Sequence, residues 1–263
     1  NDILNKLDLP RFRNQFVKIL IDETSIAIFW MPDIYRPGRT KNIIYAVIWL
    51  DPKDFTYKSI QLYEPSLKRS VNNIDTQNSS FITREPIAIL VDNTVYVSIQ
   101  DLGILIFSKN GEPKSISEEN GIPSSMITSM DILNGNIYTV ISENRQSGLI
   151  EIDPNTMHIR ILISPRDRED SHPLDGSTTT KVVADRFFNR LWVLSRTRAG
   201  NVYYFNPNTL IATPAPSHFD FMADRNEKYK RQGHLLYITT TIYLHIIDLS
   251  TNNIVSVVSH NPK

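Results

Sequence analysis

Five times along this chain an apolar, β-branched run stops at a short polar corner, and the corners recur at a nearly regular interval. Ile44-Tyr45-Ala46-Val47-Ile48-Trp49-Leu50 stops at Asp51-Pro52, Gly103 to Phe107 at Lys109-Asn110-Gly111, and Leu149 to Ile152 at Asp153-Pro154. Gly200 to Phe205 stops at Asn206-Pro207, and Ile242 to Ile247 at Asp248-Leu249. Counted from Asp51 through Asn110, Asp153 and Asn206 to Asp248, the intervals are 59, 43, 53 and 42 residues. A period of this size marks one supersecondary unit repeated, each copy too small to bury its own apolar surface.

The stretch from Met126 to Ile163 shows what the unit is. An apolar run, Met126 to Leu133, meets an Asn134-Gly135 turn, and Ile137 to Ile141 follows. A polar loop holding Gly148 leads to Leu149-Ile150-Glu151-Ile152, the Asp153-Pro154-Asn155-Thr156 corner, and His158 to Ile163. Connections this short join antiparallel neighbours, so the unit is a four-stranded meander. Equivalent inner strands are predicted at Phe16 to Ile21, Ile87 to Val91, Thr179 to Ala184 and His218 to Met222. Second strands fall at Ser25 to Trp30, Thr94 to Ile99, Arg190 to Leu194 and His234 to Thr239, and fourth strands at Lys58 to Tyr63, Pro113 to Ser117, Leu210 to Thr213 and Ile254 to Val258.

The fold class expected is therefore all-β, a β-propeller of about five four-stranded blades, whole or part of a larger ring. One domain spans 1–263, with blades at about 12–65, 84–119, 124–165, 177–214 and 217–260. A β-sandwich or β-solenoid shares short strands and regular turns but does not require the same corner in every unit. No window of a dozen residues sustains the spacing of an amphipathic helix. Asn1 to Leu9 reads either as a helix or as an outer strand of a preceding or closing blade.

Composition removes several function classes. Twenty-eight basic residues balance 28 acidic ones, which argues against a general nucleic-acid or anionic-membrane binder. No apolar run reaches the length of a membrane span. The absence of cysteine removes disulfides, thiolate metal sites and thiol nucleophiles, and is compatible with a periplasmic or secreted protein. The chain starts at Asn1 with no signal pattern ahead of it, the expectation for a piece cut from something longer.

At Asn120-Gly121-Ile122-Pro123-Ser124-Ser125, leading into Met126 to Met130, the chain resembles the start of a bacterial two-component regulator propeller repeat. In that family an Asn-Gly-Leu-Pro-Ser run precedes the inner strand, and a Gly-x-Leu-Trp strand follows about ten residues later. Gly135-Asn136-Ile137-Tyr138 stands at the second position, and Asn189-Arg190-Leu191-Trp192-Val193 resembles it in the next unit. The family's Gly-Thr ending is replaced here by Thr139-Val140. The resemblance implies a propeller of the kind found in extracytoplasmic sensor or carbohydrate-responsive proteins, and it brings no catalytic residues.

In a meander the second-to-third connection and the link to the next unit lie at one end of the sheet, and the corners at the other. The insertions fall at the first end: 31–41, 67–84, 143–147, 164–177 and 195–200. They carry Arg36, Arg39, Arg145, Arg166, Arg168, Arg196 and Arg198 against Asp33, Asp75, Glu143, Asp167, Glu169, Asp170 and Asp175; the planar donor forks suit a carboxylate, a phosphate or an acidic carbohydrate, and pairing with the neighbouring acids is the alternative. A protein partner is the other expectation for such loops. The corner Asp and Asn residues are explained by turn geometry.

A hydrolase or lyase acting on glycans would need carboxylates on inner strands, and Glu85, Asp131 and Asp185 are the candidates. Asp131 and Asp185 sit at the turn end of their strands, away from the insertion-rich loops. No His pair has zinc-site spacing, and no glycine-rich phosphate loop precedes a helix, so no metal or cofactor is expected. Lys228-Tyr229-Lys230-Arg231 reads as a solvated hairpin tip.

Overall fold

The computed structural model describes residues 15–22, 24–32, 45–63, 86–99, 102–123, 126–143, 146–164, 178–196, 202–219, 228–240 and 242–259. They form five four-stranded antiparallel sheets, each a plain meander in which every strand pairs with its neighbours in sequence. Sheet 1 holds β1 (Gln15–Ile21), β2 (Ile26–Pro32), β3 (Tyr45–Leu50) and β4 (Tyr57–Tyr63). Sheet 2 holds β5 (Ile87–Val91), β6 (Thr94–Ile99), β7 (Gly103–Ser108) and the short β8 (Lys114–Ile116). Sheet 3 holds β9 (Ile127–Leu133), β10 (Asn136–Glu143), β11 (Gln146–Ile152) and β12 (Ile159–Ile163). Sheet 4 holds β13 (Thr178–Asp185), β14 (Arg190–Arg196), β15 (Val202–Asn206) and β16 (Ile211–Pro214), and sheet 5 holds β17 (Lys228–Gln232), β18 (Leu235–Thr239), β19 (Tyr243–Asp248) and β20 (Asn253–Ser259). These are the blades of a β-propeller, and the described residues contain no α-helix. Asn1 to Leu9, read above as helix or outer strand, lies outside the described residues.

Two compact units divide the chain, Asn1–Ser117 with sheets 1 and 2 and Glu118–Lys263 with sheets 3 to 5. In the first, Leu20, Phe29, Val47 and Trp49 of sheet 1 pack against Leu90, Val95, Val97 and Phe107 of sheet 2. In the second, successive residues of β14 serve two cores. Leu191 and Val193 face Tyr138, Val140 and Leu149 of sheet 3, whereas Trp192 and Leu194 face Leu236, Ile238 and Ile247 of sheet 5. Side chains alternate across a strand, so a strand covered on both faces is apolar at every position. That is why the run reads as continuous hydrophobicity rather than alternation. Trp30, Trp49 and Trp192 are all buried.

The turns follow from their residues. Asp92-Asn93 and Asn134-Gly135 link β5 to β6 and β9 to β10 as two-residue loops, with both residues of each at positive φ. These are the residue types that reach that region most cheaply, and the twist of such loops suits a hairpin. Four of the five corners share one design. The side-chain oxygen of Asp51, Asp153, Asn206 and Asp248 accepts from the N–H two residues on, at 2.9, 2.8, 2.9 and 2.8 Å. In three of them the carbonyl of the same residue accepts from the fifth residue of the corner, Phe55, Met157 or Leu210. That fifth residue, and Asn252 in the remaining corner, has φ between 55° and 61°. The corner after β7 is shorter, closed by Gly111 N–H on the Ser108 carbonyl.

The start of sheet 5 corrects two sequence expectations. Its inner strand is Lys228–Gln232 rather than His218 to Met222, so Lys228-Tyr229-Lys230-Arg231 is part of a sheet and not a solvated tip. Tyr229 packs against the core shared with sheet 4, and Lys181 Nζ lies 4.1 Å from its ring centre. One aromatic on the inward face, next to an exposed Lys230, suffices for an edge strand; the run lacks the apolar density that marks the others. Phe219 is buried instead from a single 3₁₀ turn, its N–H on the Pro216 carbonyl and its ring edge-on to Trp192 at 4.9 Å.

Candidate functional site

The strand bounds leave all but one of the predicted arginines in connections between strands. Arg36 and Arg39 belong to the β2–β3 link of sheet 1, Arg145 to the β10–β11 link, Arg166 and Arg168 to the β12–β13 link and Arg198 to the β14–β15 link, and Arg196 ends β14. By the antiparallel order the β10–β11, β12–β13 and β14–β15 links join strand ends of sheets 3 and 4 opposite their corners. The side chains of all seven lie outside the described residues, as does Glu85.

The other two candidate carboxylates have structural partners. β13 is the innermost strand of sheet 4, and its outward N–H groups have no strand of their own sheet to bond. Ser129 and Asp131, two apart on β9 and so on one face, supply the acceptors. Val182 N–H donates to Ser129 Oγ at 3.0 Å, and Ala184 N–H to Asp131 Oδ2 at 2.8 Å. The other Asp131 oxygen takes the Ile132 N–H. Two side chains at i and i+2 thereby act as a partial strand for sheet 4's inner edge.

Asp185 is fully buried. Its Oδ1 accepts from the N–H groups of Phe187 and Phe188, which shapes the β13–β14 turn. Its Oδ2 accepts from Arg190 Nε at 3.0 Å and Trp192 Nε1 at 3.1 Å. The Arg190 guanidinium lies on the Tyr204 ring, 3.6 Å from its centre, and its Nη2 donates to Asn252 Oδ1 of the β19–β20 corner at 2.8 Å. A carboxylate with four donors directed at it is committed to holding the turn.

A third network was missed by sequence reasoning. Glu151 on β11 accepts from Tyr138 Oη at 2.6 Å, Asn136 Nδ2 at 2.7 Å and Arg160 Nε at 2.7 Å. Arg160 continues to the Pro207 carbonyl in sheet 4's corner at 2.8 Å. Burial works to raise the Glu151 carboxyl, but the bonds from Tyr138, Asn136 and Arg160 outweigh it and hold it below the usual carboxylate value. Burial, and then the carboxylate beside it, push the Tyr138 phenol well above its ordinary value, so it stays a donor. The available signal was register: Asn136 and Tyr138 share a face of β10, opposite Glu151 across the ladder.

These three networks lie at the corner end of sheets 3 to 5, and each ties one sheet to the next. The polar chemistry described there is architectural.

No family model matches the chain, and no curated protein matches it. Among solved structures it is similar to a chain of a nidogen/laminin complex, at 13% identity and a TM-score of 0.49, covering 88% of this chain and 74% of that one. It is similar to the WD40 domain of Neurospora crassa Pan2, at 9% identity and a TM-score of 0.48, over 92% of this chain and 64% of that one. It is also similar to the extracellular domain of a one-component system of B. thetaiotaomicron, at 15% identity and a TM-score of 0.45, over 93% of this chain and 34% of that one. At such identities the binding properties of those proteins remain theirs.

Proposed function

We propose that this chain is a non-enzymatic recognition module that binds an anionic group at the loop end of its sheets. Arg145, Arg166, Arg168, Arg196 and Arg198 form the recognising set, and Arg36 and Arg39 are offered by the equivalent connection of sheet 1. The observation that carries the reading is the division of labour in the second unit. Asp131, Glu151, Arg160, Asp185 and Arg190 are consumed in joining sheets at the corner end, while the arginine-bearing insertions fall in the opposite connections. The same insertions carry Glu143, Asp167, Glu169, Asp170 and Asp175, five acids to the five arginines, so the reading rests on the geometry of forked donors rather than on a net positive field.

The ligand class is an acidic oligosaccharide, a phosphorylated small molecule or an acidic segment of a protein, read by forked donors. The resemblance around Asn120 to Met130 supports an extracytoplasmic bacterial sensor as the setting. Calorimetric titration with acidic and neutral oligosaccharides of equal length tests the reading. Binding of the acidic series alone is expected, weakening as salt shortens the screening length from about 10 Å at 0.1 M to about 3 Å at 1 M. Arg145→Ala with Arg198→Ala should weaken it at an unchanged melting temperature. Equal binding of the neutral series, or indifference to both substitutions, would sink the proposal.

A further inference from the structure

Histidine aside, the connections at the corner end of sheets 3 to 5 hold only Asp153 and Arg186 as charged residues. The opposite insertions carry five arginines and five acids. Asp153, and Asp248 at the end of β19, are bound within their own corners, where they accept from the hydroxyls of Thr156 and Ser250. Sheets 3 and 5 expose amides and hydroxyls there, such as Asn134, Asn155, Ser250 and Thr251. Sheet 4, between them, differs. Its register sets Asp185 opposite Arg190 and Asn206 opposite Ile211 at that end. Phe187, Phe188 and Leu210 stand just beyond these pairs, and with Ile211 they are 55%, 47%, 41% and 58% exposed.

Single exposed apolar residues are ordinary, but several across one sheet end mark a contact surface. Leu210 is both exposed and held at φ 58°, two penalties that packing within the sheet does not offset. The turns of this end are also tied to one another. Asn134 donates to Asn189 between the turns of sheets 3 and 4, Arg160 reaches the Pro207 carbonyl, and Arg190 reaches Asn252. The Arg190 guanidinium lies against the Phe188 ring, 4.6 Å from its centre, which fixes that ring. Turns held in this way lose little freedom on binding. An apolar centre with an aromatic pair and an arginine, ringed by uncharged polar groups, is the anatomy of a protein interface, whose centre favours Phe and Arg and is depleted in Lys, Asp and Glu.

From this arrangement we infer that the corner end of sheet 4 docks a different protein, one that presents an apolar cleft for Phe187 and Phe188 beside a carboxylate for Arg186. The surface is separate from the arginine-bearing loop end and does not depend on the reading given to it. Arg186 is exposed and makes no ion pair among the described residues, so the acid comes from the partner. A second copy of this chain cannot supply it from the same end, because Asp153 and Asp248 are bound in their corners. A bilayer surface matches poorly, because a lone cation attracts anionic lipid only weakly.

A phage-displayed library of random short peptides, selected on the immobilised full chain, tests this. Enriched peptides are expected to combine aromatic or aliphatic residues with Asp or Glu. Phe187→Ser should weaken their binding at least about tenfold, as loss of a central anchor does, at the melting temperature of the parent. Arg186→Glu should abolish it and select instead peptides with Lys or Arg in place of the acid. Arg145→Ala with Arg198→Ala should leave it unchanged, which separates this surface from the loop end. The inference is overturned if no enriched peptide discriminates the parent from Phe187→Ser, or if the enriched peptides lack an acid. It is equally overturned if the parent self-associates and Phe187→Ser makes it monomeric, which assigns the surface to a second copy. Co-sedimentation with phosphatidylglycerol vesicles that is lost in Phe187→Ser overturns it in favour of a bilayer.

Discussion

Asp185 and Arg190 face each other across the four-residue β13–β14 turn, and Arg190 reaches from that pair to Asn252 on the corner of sheet 5. The pair thus sets a turn within one sheet and a bond to the next. Removing the buried carboxylate leaves Arg190 and the Trp192 N–H without their acceptor, so Asp185→Ala is expected to cost about 3 to 5 kcal/mol. A lower urea midpoint at unchanged slope would register this. A loss under about 1 kcal/mol would mean that the network is not formed.

Asp131 tests the borrowed edge of sheet 4. Asp131→Ala strands the Ala184 N–H and should cost about 1 to 3 kcal/mol, whereas Asp131→Asn keeps an acceptor and should recover most of it. Amide exchange at Ala184 distinguishes this from a general loosening: it should accelerate in the alanine variant more than exchange at Val193.

Glu151 gives the sheet 3 to sheet 4 contact a pH dependence. Its folded value lies below the ordinary 4.5, so its contribution is fully present above that pH and fades as pH falls through the folded value. The stability difference between the parent and Glu151→Gln should be constant near neutrality and shrink on acidification below about 4.5, seen in urea midpoints taken down to about pH 3. A difference that grew on acidification would reverse the sign and refute the assignment.

The corners offer a stabilising change. Leu210 occupies the left-handed region with φ of 58°, a conformation that a branched side chain reaches only under strain and that Asn252 fills in the corner of sheet 5. Leu210→Asn should raise stability by about 0.5 to 1 kcal/mol. Thermal melting decides it, and a fall in melting temperature would show that the Leu210 side chain contributes more than its backbone costs.

Phe219 carries the correction at sheet 5. Its ring is buried against Trp192, so Phe219→Ala should lower the urea midpoint by an amount worth about 3 to 5 kcal/mol, and Lys230→Ala, at an exposed position of β17, should change it by close to nothing.

Most of the architecture was legible because it rests on local chemistry. Asn134-Gly135 dictates its hairpin, and Asp51, Asp153, Asn206 and Asp248 announce their corners through an oxygen two residues from the N–H they bind. What escaped is what depends on a neighbouring sheet. β17 has too few apolar residues to advertise itself, and Phe219 looked like a strand residue because its true partner, Trp192, is 27 positions earlier in the chain. Asp131 and Asp185 drew suspicion as catalytic carboxylates for the same reason: their donors at Ala184 and Trp192 become visible only when the sheets are stacked. The arginine set was chosen from loop position, and its side chains lie outside the described residues.

Because neighbouring residues of β14 line two separate interiors, sheet 4 is a party wall. Peeling away sheet 3 bares Leu191 and Val193, and peeling away sheet 5 bares Trp192 and Leu194; either loss weakens the partition on which the other interior leans. Sheets 3 to 5 should accordingly melt as one block, with tryptophan fluorescence and far-ultraviolet dichroism tracing a single shared transition.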